Sequence, residues 1–115
     1  MILTERPLKI IFKILIGKWM QGVSQPYPGL WFEFKEDGTF RAEYDAMGIV
    51  SGGTYTVTEN QIDMDQTEHT FGLVGKFRGI FAVEGDLLKM AVASGSEQPR
   101  PTDLSEARIY DKVSG

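Results

Sequence analysis

Cysteine is absent from the 115-residue chain, which excludes disulfides, thiolate metal sites and a cysteine nucleophile. Histidine occurs once, at His69, so any Ser-His-Asp or histidine-metal mechanism would have to pass through that one imidazole. Positive charge is in deficit. Lys and Arg total 12 against 16 Asp and Glu, a net charge of −4, which repels a phosphate backbone and argues against a nucleic-acid partner. Long hydrophobic runs are also missing: the apolar stretch from Leu8 to Ile16 is interrupted by Lys9 and Lys13 and precedes no small-residue cleavage site, and it is too short to span a bilayer. The reading is a cytoplasmic protein that meets no membrane. Phosphate-binding glycine loops, a nucleophile elbow and an HExxH helix are absent as well, so neither an enzyme nor a bound cofactor is expected.

What is present suits one globular domain over residues 1–115, with 42% hydrophobic and 24% charged residues and 13 glycines to spend on turns. Residues 5–16 read two ways. Leu8, Ile10, Phe12, Ile14 and Ile16 alternate like a strand, but Lys9 and Lys13 share a helical stripe. Thr4 as N-cap, Pro7 in the first turn and Gly17 just past the end favour a short helix. From Gly17 onward the period is two, with turn signals every eight to twelve residues, the mark of a β-sandwich or barrel.

Strands are predicted over 18–25, from Leu30 to Lys35, from Phe40 to Asp45, from Thr54 to Thr58, from Ile62 to Asp65, 73–84, 87–93 and 106–112, with a loop over 46–53. Asp37-Gly38, Glu59-Asn60 and Gly85-Asp86 are the tight turns. Gly75 and Gly79 suggest that the long sixth strand bends or bulges. Eight antiparallel strands joined in sequence predict an all-β fold: a small up-and-down β-barrel, which has no exposed edge, with the short N-terminal helix over one end.

Gly17-Lys18-Trp19 resembles the Gly-x-Trp opening of lipocalins, and Arg108 in the last strand resembles the basic residue that lies over that tryptophan. Residues 79–104 carry Gly79-Ile80-Phe81, Glu84-Gly85-Asp86, Leu88-Lys89-Met90 and Arg100-Pro101-Thr102. With Ile62-Asp63, that run resembles a small bacterial lipocalin-like (calycin-type) domain family with planctomycete members. The resemblance implies the barrel and a structural role for Gly17, Trp19 and Arg108 at its closed end. It carries no activity.

Candidate sites follow from the barrel. Tyr44, Tyr55 and Phe77 alternate inward, and Trp31 stands beside the Pro-rich turn, so these aromatics are the expected lining for a small apolar or amphipathic ligand at the open end. Arg41, Lys76 and Arg78 lie on strands that bury aromatics. Arg78 is the candidate ligand anchor, although alternation around Phe77 sets it and Lys76 on the outer face. The alternative is a filled barrel, with Phe32, Phe34, Phe40 and Phe81 meeting these side chains in the middle, acting as an interaction or assembly module. Trp31, out of phase with Phe32, suits a contact with a second copy in a homodimer. Asp63, Asp65, Glu68 and His69 have metal-ligand residue types, but their spacing matches no cation loop and reads as a solvated strand face.

Overall fold

The computed structural model describes residues 13–93, 95 and 97–113. It is a closed barrel of eight antiparallel strands in sequence order: β1 (Gly17–Gln21), β2 (Trp31–Phe34), β3 (Thr39–Tyr44), β4 (Ile49–Thr58), β5 (Gln61–His69), β6 (Gly75–Glu84), β7 (Leu87–Val92) and β8 (Arg108–Val113). The ring closes where β1 runs against β8, Trp19 opposite Lys112 and Gln21 opposite Tyr110. Of the predicted N-terminal helix, Lys13 to Leu15 are helical, and residues 5–12 lie outside the described residues. No helix among the described residues is long and apolar enough to cross a membrane.

Alternation sets the core. Trp19, Phe34, Phe40, Tyr55, Ile62, Phe81, Leu88 and Tyr110 project inward and are nearly solvent-free, while Arg41 and Glu43 pair on the outer face at 2.7 Å.

Three boundaries differ by several residues from the sequence reading, the simplest being β5, which runs on past Asp65 to His69. The predicted first strand stops at Gln21, because residues 22–30 turn back on themselves: Gly29 N–H donates to Gln21 O and Gln21 N–H to Leu30 O, each at 2.9 Å. The predicted loop over 46–53 is a 3₁₀ turn at Asp45–Met47 followed directly by β4, so Gly52 and Gly53 lie within a strand. There β4 shifts register against β5. A Cβ at Gly53 would fall 1.9 Å from Asp65 O, so the glycine that reads locally as a breaker is what lets two backbones pass this closely. The β5–β6 and β6–β7 ladders run without a register shift, so the bulge lies in β5, where Thr67 is the extra residue opposite Gly52 and Gly53, rather than at Gly75 or Gly79.

Candidate functional site

The two ends of the barrel are built differently. At the end where β1 begins, Leu15 is fully buried and its carbonyl accepts the indole N–H of Trp19 at 2.8 Å. Lys112, opposite Trp19 in register, holds Nζ 4.7 Å from the indole ring centre and donates to Ile16 O at 3.2 Å. Gly17 makes room: its φ is +135°, and a Cβ there would lie 2.9 Å from Lys112 Nζ. The cation over Trp19 is therefore Lys112, not Arg108. Arg108 stands four residues away on the same face of β8, roughly 13 Å along the strand, and lies opposite Met90. Its guanidinium is 5.8 Å from the ring centre of Tyr27.

Aromatics fill this sealed half. Phe34 meets Tyr55 edge-on at 5.0 Å between ring centres and Phe40 at 6.4 Å. Tyr55 Oη donates to Lys35 O at 2.7 Å, and burial, helped by nearby Asp37, pushes its pKa up to about 12.

The other half is open. A cavity of about 580 Å³ lies among Phe32, Met64, Phe77, Met90 and Val92 on the strands, with Tyr27 and Leu30 of the β1–β2 turn and residues 101–103 of the β7–β8 loop as walls. That volume lies within the roughly 300–1,000 Å³ of ordinary small-molecule pockets. The loop is pinned to the outer face by Arg100. Its Nη1 donates to Ile62 O at 3.2 Å and Gly79 O at 3.0 Å, and its Nη2 to Asp63 Oδ1 at 2.7 Å.

Three polar side chains enter this apolar space from β1 and β8: Gln21, Arg108 and Tyr110. Gln21 is 2% exposed. Its Oε1 accepts the Tyr27 N–H at 3.0 Å, and an N–H needs an acceptor there, which fixes the amide's orientation and turns Nε2 the other way. That Nε2 is buried and completes no hydrogen bond among the described residues. Burial pushes the Tyr110 hydroxyl above the ordinary tyrosine range, against smaller opposing pulls from Gln21 and Arg108, so the phenol keeps its proton.

The expected site residues are only partly brought together: Tyr55, Phe77 and Arg78 line a second cavity of about 400 Å³ over β4, β5 and β6. Phe77 lines the first cavity as well. Tyr44 lies outside the lining and meets Tyr27 edge-on at 5.9 Å, and Tyr55 belongs to the sealed half. Trp31 is on the outer face, half-buried, with Lys18 Nζ 4.0 Å from a ring centre. Arg78 is exposed and sits opposite Asp63 in register, on the outside of β6. His69 ends β5, and its Nδ1 accepts the Phe71 N–H at 3.0 Å. No three of the described His, Asp and Glu side chains converge.

Gln21 and Arg108 were not read as lining, though a signal existed. Gln21 is in phase with Trp19, which places a polar residue on a core face, and Arg108 is in phase with Tyr110. No protein-family model, no curated protein and no solved structure matches this chain.

Proposed function

We propose that this barrel is a non-enzymatic binding module that holds one small apolar or amphipathic molecule in its open half. The observation that carries the reading is the cavity itself: about 580 Å³, with Phe32, Met64, Phe77 and Met90 in its walls, beside a half in which Phe34, Phe40 and Tyr55 meet ring to ring. A barrel needing only a core would gain by filling that volume, since each unfilled methylene forfeits transfer and dispersion energy. Titration with Nile red, a neutral apolar fluorophore, tests the reading. Saturable one-to-one binding with blue-shifted emission, reversed by dodecanol, is expected. Absent or non-saturable binding would reject it.

A second reading, an assembly module, is favoured by the β5–β6 turn, where Phe71, Leu73 and Val74 are 64%, 62% and 56% exposed. A homodimer docked through that turn would show twice the chain mass by light scattering and revert to monomer in Phe71→Ser.

A further inference from the structure

We infer that the ligand is an amphiphile with a single carboxylate, held by Arg108 and Tyr110 Oη on the β8 wall, its apolar body lying toward Met64 and Phe77. This rests on the binding-module reading above and adds the ligand's chemical class to it.

The first support is where the polar groups sit on an otherwise apolar wall. Gln21 Nε2 completes no hydrogen bond among the described residues but has almost no accessible surface, and Tyr27 N–H occupies its Oε1, so the amide backs the wall and the donors left to a ligand there come from β8.

Arg108 is the second support. It lines the same cavity and forms no ion pair among the described residues. The carboxylates sharing its cavity are Asp103 and Glu106. Asp103 is committed to its own loop, accepting from Ser105 N–H at 3.0 Å and Ser105 Oγ at 2.7 Å, and Glu106 is exposed. A guanidinium beside apolar walls is best satisfied by a planar anion that its fork can bind with two N–H groups.

Tyr110 supplies the second donor group. It stands opposite Gln21 across the β1–β8 ladder and is 4% exposed. A guanidinium and a phenol, with one positive charge between them, match one carboxylate. The two acidic residues at the same cavity and the net charge of −4 weigh against a dianionic phosphate. Across the ring, β5 and β6 contribute Met64 and Phe77, which offer nothing to a charge and much to a hydrocarbon, and Gln66, whose Nε2 is already committed to Leu73 O at 2.6 Å.

The test compares dodecanoate with dodecanol, equal in chain and different in headgroup, by competition with Nile red. Wild-type protein is expected to bind dodecanoate about tenfold or more tighter than dodecanol, the range of one or two charge-assisted hydrogen bonds. Arg108→Met keeps the aliphatic stem and is expected to abolish the preference while leaving dodecanol affinity within about twofold. Tyr110→Phe, which removes a single oxygen, should lower dodecanoate affinity several-fold and spare dodecanol. Equal binding of acid and alcohol to the wild type would overturn the carboxylate inference and leave the cavity reading standing. A preference that survives Arg108→Met would overturn the assignment to Arg108. Should Arg108→Met lose dodecanol as well, Tyr110→Phe decides, and undiminished dodecanoate binding there would overturn the inference. Failure of both probes on the wild type would reject the binding module itself.

Discussion

Replacing Gly53 with alanine tests whether the β4–β5 crossing is as close as the register requires. The added Cβ would meet Asp65 O at 1.9 Å, the Asp65 carbonyl carbon at 2.9 Å and Thr67 N at 3.0 Å. All three are backbone atoms, so no rotamer change relieves the clash. Reaching even a tight 3.0 Å contact needs a strand displacement of about 1.1 Å. Overpacking of that kind costs about 1–3 kcal/mol, and two distorted ladder bonds beside the bulge add about 1 kcal/mol each. The expected loss is therefore about 3–5 kcal/mol, read as a fall of about 2 M or more in the urea midpoint at unchanged slope. Gly29→Ala is the control. Its φ is +89°, but nothing lies within 4 Å of the added carbon, so it should cost only about 1 kcal/mol of left-handed strain. If Gly53→Ala unfolds at the wild-type midpoint, or costs no more than Gly29→Ala, the close crossing is wrong.

Two further outcomes follow from the sealed half. Tyr55 keeps its proton to about pH 12 when folded, whereas an unfolded phenol ionises near pH 10. The unfolded state binds fewer protons in that window, so stability falls as pH rises, by up to about 1.4 kcal/mol per pH unit from this group. Tyr55→Phe loses about 1 kcal/mol with the bond to Lys35 O at neutral pH but escapes that slope; chemical denaturation at pH 8, 10 and 12 should show its deficit shrinking, and a constant deficit would count against the buried phenol. Leu15→Ala withdraws the stopper against Trp19 and should cost about 2–5 kcal/mol, or roughly 3–6 °C in Tm per kcal/mol. In a Trp31→Phe background, Trp19 emission should move to the red, and an unchanged spectrum would mean that Leu15 does not seal that end.

The barrel was legible because its signals are local. Alternation from Phe40 to Tyr44 and turns such as Asp37-Gly38 and Gly85-Asp86 need only near neighbours to act. What failed was non-local. Gly52-Gly53 reads as a break until β5 is brought across it, and no local rule distinguishes a glycine that ends a strand from one that admits a second backbone. Which cation covers Trp19 depends on the β1–β8 register: four residues along β8 separate Lys112 over the indole from Arg108 at the cavity. Trp31 and Arg78 were set outward by phase and lie outward, and choosing them as ligand contacts followed residue type over phase. Gln21 shows the opposite case, a polar residue in phase with Trp19 that marks the site by its misfit with the core.

The central claim, an apolar cavity that takes up an amphiphile, is tested most directly by calorimetric titration of wild-type protein with dodecanoate at several temperatures. The account predicts saturation at one ligand per chain with a clearly negative heat-capacity change, the marker of buried hydrocarbon. Heats that never saturate, or that saturate with a heat-capacity change near zero, would contradict it.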